Sequence, residues 1–296
     1  MISIAMTTYN GEKYLREQID SILSQTIQDF ELIVCDDCST DTTWGILEDY
    51  AKRDNRFHIY ENQENIGFLK NFEKAIELCQ GDYIALSDQD DIWTENHLEV
   101  LLNTIGDKVL ACGNSLLVDE NGNSMGMTLK EQESLDYIPR SDFKKLISIL
   151  LFRNPYQGSS MLFRRDLIMY INPMPVNVQF HDTWIASLAC LLGGMNYSDT
   201  IILKYRRHDM NITKSKKRRK SKWWFFRKRY FAKNRSFLIS ELSSRVTNIS
   251  SSKRKQMAYM KMMLDRSTNI VGSRKNLVYL IKNYKIIYSC DLNHWL

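Results

Sequence analysis

The chain has 296 residues, 44% hydrophobic and 25% charged, enough to bury a full core in one large domain with an appendage or in two domains. No run approaches the roughly 18 uncharged apolar residues of a membrane span, and the opening MISIAMTTYN lacks the basic start of a secretory leader, so a cytoplasmic protein is expected. The net charge of +5 is local in origin: residues 214–235, from Lys214 to Arg235, hold twelve Lys and Arg and no acid, and without them the chain stands at −7. That pattern marks one surface for an anionic partner and excludes a uniformly basic fold.

Residues 2–7 read as a buried strand, and residues 12–25 place Leu15, Ile19, Ile22 and Leu23 at helical spacing. Residues 31–35 form a second strand, stopped by polar turn formers before a helix carrying Trp44, Leu47 and Ala51. A third strand over 57–60, a third helix over 68–79 and a fourth strand over 83–86 continue the alternation. The pattern predicts an α/β fold of parallel strands with crossover helices. After Asp91 it loosens into a strand over 109–118 running into an Asn121-Gly122 turn, a helix over 143–152, a strand over 160–163, a buried helix over 183–192 and a strand over 200–205. From residue 214 onward the chain is basic, aromatic and Met-rich, and helical in propensity. The division is therefore a domain over 1–213 and a mainly helical basic region over 214–296.

Cys35, Cys79, Cys112 and Cys190 sit in apolar contexts, as free thiols of a reducing compartment do. Cys35 and Cys38 have Cys-x-x-Cys spacing, but the two aspartates between them disfavour a thiolate and no second ligand pair follows. The pair is read as unlinked thiols and not as a redox or zinc motif.

Ligands of an open α/β sheet sit beyond the carboxyl ends of its strands. There the first strand delivers residues 7–10, the second Asp36 and Asp37, and the fourth residues 87–91. Asp88, Asp90 and Asp91 would repel one another unless a cation neutralised them. A hard divalent ion does so, taking one or two carboxylates and completing its shell with substrate phosphates. Turn chemistry is the competing explanation: Asp91 could cap a helix near Thr94, and Asp36 and Asp37 could cap the helix that follows them.

The segments TTYNGEKYLREQIDSILSQT, DFELIVCDDCSTDTT and ENIGFLKNFEKAIELCQGDYIALSDQDDIW, in that order, resemble glycosyltransferase family 2, and within it bacterial rhamnosyltransferase-like enzymes of cell-surface polysaccharide synthesis. The resemblance is dense over residues 2–98, thinner to about 210 and absent beyond about 215. It implies a GT-A fold, an inverting transfer from a UDP- or dTDP-sugar, and Mn²⁺ or Mg²⁺ as cofactor. It assigns Thr7 and Tyr9 to the nucleotide pocket, Asp37 to the pyrimidine base with Asp36 as substitute, Asp88 to the ribose or metal shell, and Asp90 to the metal.

An inverting transfer is a single displacement, so it needs a general base for the incoming hydroxyl and neutralisation of the departing diphosphate. Asp182, at the start of an apolar helix whose dipole favours a carboxylate, resembles the family's acidic motif at the base position; an N-cap would occupy the same place. Its neighbour His181 would orient the carboxylate or the acceptor. His208 resembles the family's C-terminal histidine that completes the metal shell, an imidazole suiting Mn²⁺ better than Mg²⁺. Arg206 and Arg207 are alternative contacts for the diphosphate. Gly158 and Ser159 resemble the acceptor side, where glycine permits close backbone approach. Trp184 and Trp93 are candidates to stack on sugar faces, against ordinary helix packing.

The basic run interleaves its cations with Trp223, Trp224, Phe225, Phe226, Tyr230 and Phe231. An anionic membrane surface, nucleic acid and a solvated charge run each account for that composition. A saccharide acceptor carried on polyprenyl diphosphate favours the membrane, with the protein peripheral on the inner face of the cell membrane, and disfavours nucleic acid. Two other functions compete: a metal-dependent nucleotidyltransferase, which would carry a glycine-rich phosphate loop where this chain has TTYNGEKY, and a nucleic-acid-binding protein, which leaves the ordered carboxylates without a purpose.

Overall fold

The computed structural model describes residues 1–132, 138–151, 154–209, 211 and 223–267. The first four strands are β1 (Ile2–Thr8), β2 (Phe30–Asp36), β3 (Phe57–Glu61) and β4 (Tyr83–Ser87), joined by α1 (Leu15–Leu23), α2 (Thr43–Ala51) and α3 (Phe68–Leu78). All pair in parallel in the order β3-β2-β1-β4, as the alternation predicts. Register brings Thr8 opposite Asp36, and Met6 opposite Ser87, so the polar strand ends finish at one edge.

The second half adds β5 (Ile92–Trp93), α4 (His97–Ile105), β6 (Leu110–Val118), β7 (Ser124–Thr128), α5 (Leu129–Gln132), α6 (Asp142–Leu151), β8 (Met161–Arg164), α7 (Ile168–Ile171), α8 (His181–Leu192) and β9 (Met195–Arg206). From β4 the sheet continues through β8, β6 and β9 to β5, with β7 paired to β6. Of these pairings only β6 with β9 is parallel. β9 begins at Met195, five residues before the strand expected from sequence, because Met195 to Tyr197 pair in register with Leu110 to Cys112 before the ladder shifts. The β5 and β7 strands carry no apolar alternation of useful length and were not foreseen.

Strand alternation splits the core between the two faces of the sheet. Ile4, Met6, Leu32 and Val34 pack with Leu15, Ile19, Leu47 and Leu101 of α1, α2 and α4. Ala5, Ile33 and Cys35 face Phe72 and Ile76 of α3, in a cluster that continues through α6 and α8. The α8 helix is apolar on nearly every side, and such a helix is stable only when covered all round. Its cover includes α9 (Trp223–Arg245), whose Leu238, Ile239 and Leu242 join the same cluster, as do Met257 and Leu264 of α10 (Ser251–Ser267). Arg245 fixes α9 by donating to the carbonyls of Tyr170, Asn172 and Pro173. Among the described residues no helix is long and apolar enough to cross a membrane. The basic stretch 214–222 lies outside the described residues.

Candidate active site

The carboxyl ends of β1, β2 and β4 open into a cleft of about 640 Å³. Of the residues selected from sequence, Thr7, Tyr9, Asp37, Asp88, Asp90, Gly158, Asp182 and His208 line it. Ser159 and Trp184 do not.

At the β2 end the two adjacent aspartates have separate tasks. Asp36 is fully buried and accepts hydrogen bonds from Thr8 Oγ1 (2.6 Å), Ser39 N (2.8 Å) and Ser39 Oγ (2.7 Å), so it serves the turn. Asp37 borders the cleft and organises the loop opposite, its Oδ1 accepting from Asn62 Nδ2 and the Ile66 amide and its Oδ2 from the Gly67 amide, each at 2.9 Å. Asn62 is in turn held by Asn71 and Lys74. A carboxylate oxygen accepts two bonds readily, and Oδ2 takes one here among the described residues.

Tyr9 is 47% exposed at the cleft mouth. Its backbone is clasped by Gln89, which accepts from Tyr9 N at 2.8 Å and donates to Tyr9 O at 3.0 Å. A Cβ at Gly11 would lie 2.4 Å from Gln89 Oε1, so glycine at this position leaves the clasp its room. Neither Gln89 nor Gly11 was singled out from sequence, because the clasp joins two strand ends 80 residues apart.

On the β4 side Asp90 Oδ2 meets His208 Nε2 at 2.8 Å and Asn211 Nδ2 at 3.4 Å. The His208 ring leans on Tyr14 with centroids 4.9 Å apart. Asp88 is pushed up to about 7, first by burial and then by the negative fields of Asp90 and Asp182. Asp91 is fully buried and caps no helix: it accepts from Ser159 Oγ at 2.7 Å and from the Arg206 amide at 3.2 Å. Burial and the fields of Asp90 and Asp88 hold it well above the carboxylate range. Among the described residues no group of three or more His, Cys, Asp or Glu could hold a metal unaided. Asp90 and His208 together offer one oxygen and one nitrogen donor beside a crowded pair of carboxylates, which fits a divalent ion that completes its shell with phosphate oxygens.

Asp182 lies in the first turn of α8; the capping position belongs to Phe180. Its carboxylate accepts from the Thr183 amide and from the Asn154 side chain. Burial raises it to about 6, while these bonds and the positive charge of Arg235 on α9 draw it back. His181 does not orient that carboxylate: its two ring nitrogens have no partner among the described residues, and its ring stacks on Phe72 at 4.1 Å.

Packing decides five of the side chains singled out from sequence. Trp184 is fully buried and donates Nε1–H to Ile171 O at 3.0 Å, so it is a core residue and no sugar platform. Trp93 is 4% exposed and stacks on His97 at 3.7 Å. Ser159 is spent on Asp91 behind the cleft wall. Arg206 is not a diphosphate ligand: it is 2% exposed, donates to Asp90 O (2.9 Å) and Glu120 O (3.0 Å), pairs with Glu17 and covers the Tyr14 ring at 4.6 Å. Its neighbour Arg207 bonds Gln132 at 3.0 Å and does not line the cleft.

The profile of the family described as glycosyl transferase family 2 matches residues 3–170, more than half of the chain. The chain belongs to that family. Bacillus subtilis TuaG, named a putative teichuronic acid biosynthesis glycosyltransferase, is 35% identical over 140 residues, 46% of this chain and 55% of TuaG. B. subtilis EpsH, named a putative glycosyltransferase, is 31% identical over 176 residues, 56% of this chain and 48% of EpsH. The chain thus spans about half the length of these curated relatives. Among solved structures, S. aureus TarS residues 1–349 superposes with a TM-score of 0.60 at 20% identity, covering 93% of this chain and 73% of that one. The same TarS region is known in complex with UDP-GlcNAc. A mannosyltransferase from Pyrobaculum calidifontis, solved with GDP-Man and Mn²⁺, has a TM-score of 0.54 at 14% identity, covering 98% of this chain and 88% of its own. These likenesses establish the GT-A fold for the family-2 chain.

Proposed function

We propose that the chain is an inverting glycosyltransferase that moves a sugar from a UDP- or dTDP-linked donor to a saccharide acceptor in cell-surface polysaccharide synthesis. The observation that carries the reading is the gathering of Asp37, Asp88, Asp90, His208 and Asp182 in one cleft of a family-2 chain. Asp90 and His208 would hold Mn²⁺ or Mg²⁺, whose charge offsets that of the departing diphosphate. Asp182 removes the proton of the acceptor hydroxyl. The acceptor oxygen bonds to the anomeric carbon from the face opposite the leaving group, and the bond from that carbon to the diphosphate breaks, its electron pair leaving with the nucleoside diphosphate. Asp37 is the acceptor for the N–H of a pyrimidine base, while Thr7 and Tyr9 border the nucleotide.

The name of TuaG and the TarS complex with UDP-GlcNAc support a UDP-sugar and a wall-polymer acceptor, and the Mn²⁺ complex of the mannosyltransferase supports a divalent ion. The acceptor is taken to be carried on polyprenyl diphosphate, with the catalytic domain at 1–213 and the basic segment from Lys214 to Arg235 meeting an anionic membrane surface. Replacing the Lys and Arg of 216–222 by Ser should abolish sedimentation with phosphatidylglycerol liposomes, and undiminished sedimentation ends the membrane assignment. For the reaction, UDP-glucose, UDP-galactose, UDP-N-acetylglucosamine and dTDP-rhamnose are offered with Mn²⁺, Mg²⁺ or EDTA. One of them is consumed with metal and none in EDTA; full turnover in EDTA overturns the metal role.

A further inference from the structure

The cleft is acidic where an anionic donor has to enter. Its lining holds the carboxyl groups of Asp37, Asp88, Asp90, Glu120, Asp182 and Asp209, and among the described residues Lys13 is the one Lys or Arg that borders it. A nucleoside diphosphate brings further negative charge into the same space, where like charges repel. A divalent ion at Asp90 and His208 offsets part of that charge, and the ammonium of Lys13 is the cation that the chain itself supplies.

Lys13 is firmly rooted and loosely held at its tip. Asn10 Oδ1 accepts from the Thr40 amide at 2.8 Å, the Glu12 carboxylate accepts from the Thr42 amide at 3.0 Å, and the amides of Tyr14 and Leu15 each donate to the Gly11 carbonyl at 3.1 Å. The backbone on both sides of Lys13 is therefore tied down. Its Nζ meets Glu120 at 3.1 Å, a contact between side chains 64% and 57% exposed. So exposed an ion pair contributes little to stability, and a four-carbon stem with rotatable donors re-aims at small cost. The fold does not depend on this pairing, so the ammonium is free to exchange partners.

The pair also stands on the metal side of the cleft. Lys13 Nζ lies 4.9 Å from the centre of the Tyr14 ring, the His208 ring lies 4.9 Å from the same centre, and His208 meets Asp90 at 2.8 Å. On the facing turn the Glu120 carbonyl is fixed by Arg206 Nη1 at 3.0 Å, leaving its carboxylate as the part that moves. Lysine binds phosphate as a point charge and needs no preset fork, which suits a side chain that changes partner.

Resting on the glycosyltransferase reading, we infer that Lys13 is a phosphate-binding residue of the donor site, its ammonium leaving Glu120 for diphosphate oxygens when a nucleotide enters. Glu120 is then a competitor that holds the cation while the cleft is empty.

The test uses the full chain with Mn²⁺ and three single variants, Lys13→Met, Lys13→Arg and Glu120→Gln, together with the double variant Lys13→Met/Glu120→Gln. Calorimetry gives affinities for UDP, UMP and uridine, and for dTDP, dTMP and thymidine. At low salt the Met variant weakens by about fivefold toward the diphosphate and is unchanged toward the nucleoside. The Arg variant recovers most of that loss, and 0.5 M salt shrinks the difference, because an exposed charge is screened. Glu120→Gln tightens the diphosphate by about twofold in the wild-type background and not in the Met background. A loss shared by UMP or dTMP places the contact on the α-phosphate, and a loss confined to the diphosphate places it on the β-phosphate. Diphosphate affinity unchanged in the Met variant overturns the inference, as does an equal loss toward the nucleoside, which would give Lys13 a merely structural part in the loop. An equal effect of Glu120→Gln in both backgrounds overturns the exchange. Wild-type protein that binds no nucleotide and consumes no nucleotide sugar removes the glycosyltransferase reading itself, whereas active wild type with an unaffected Met variant removes this inference alone.

Discussion

Between β3 and β4 every strand pair is parallel, and the strand ends deliver Thr7, Asp37 and Asp88 to one edge by register alone. From β4 to β5 the pairings are antiparallel apart from β6 with β9, and the cleft is completed by contacts between distant segments, such as His208 with Asp90 across 118 positions. In the first region, which the proposed reaction makes the nucleotide side, chain order and spatial order coincide. In the second, chemistry depends on what packs behind the reacting groups: Asn154 and Arg235 behind Asp182, and Arg206 behind Asp90. Variants of the second region should therefore damage catalysis while sparing nucleotide binding.

The largest effect is expected from Asp182→Asn. A positioned general base contributes about a hundred- to ten-thousandfold, so turnover should fall by about a thousandfold while the nucleoside diphosphate, held at the β1 and β2 ends, binds as before. For the proposed reaction Asp182 must be ionised, and burial sets it at about 6. The rate therefore falls as pH drops through about 6 and levels off above it. A variant that keeps a tenth of wild-type turnover, or loses nucleotide affinity in proportion, breaks the division between the regions.

Next in size is Arg206→Met, which tests whether the regions are joined where the structure joins them. The guanidinium ties Glu17 of α1, the Asp90 carbonyl and the Glu120 carbonyl into one knot. Glu17 is 54% exposed, so the ion pair itself contributes little; the cost comes mainly from the Asp90 and Glu120 carbonyls left without a donor, about 1 kcal/mol each, which urea titration would register as a lower midpoint. A midpoint within error of wild type would show that the knot contributes nothing.

These expectations also show how far the sequence was legible. The four strands of the first half, their helices and the convergence of the strand ends at 7–10, 36–37 and 87–91 follow from local apolar periodicity and strand-end polarity, while the choice of Thr7, Tyr9, Asp37, Asp88 and Asp90 among them came from the family resemblance. Asp182 and His208 came from motif order, which assigns residues to a cleft without giving their neighbours. The open alternatives that packing decided share one cause: Trp184, Trp93, Ser159 and Arg206 have surface-competent chemistry, and only tertiary packing turns them inward. Gln89 was overlooked for the complementary reason, since its clasp on Tyr9 exists only once β1 and β4 lie side by side.

The smallest effect expected is the one most specific to the second region. Arg235 lies on α9, beyond the part of the chain that the family profile matches, yet its charge lowers the pKa of Asp182. Burial draws Arg235 itself down to about 10, so it stays cationic through the working range and acts on the base as a constant field. Arg235→Gln removes that field. The ionised form of Asp182 is then less favoured, its pKa rises, and the acid limb of the rate profile moves to higher pH. Arg235→Lys restores a charge and should return the limb toward its wild-type position, a rescue that repacking alone does not produce. Because the site is largely shielded from water, the shift should persist at 0.5 M salt, where exposed charges are screened within a few ångströms. At pH 7.5 most of the base is ionised in either protein, so rates there should differ by less than about twofold. A limb that stays near pH 6 in the Gln variant would mean that α9 supports α8 mechanically and has no electrostatic part in the reaction.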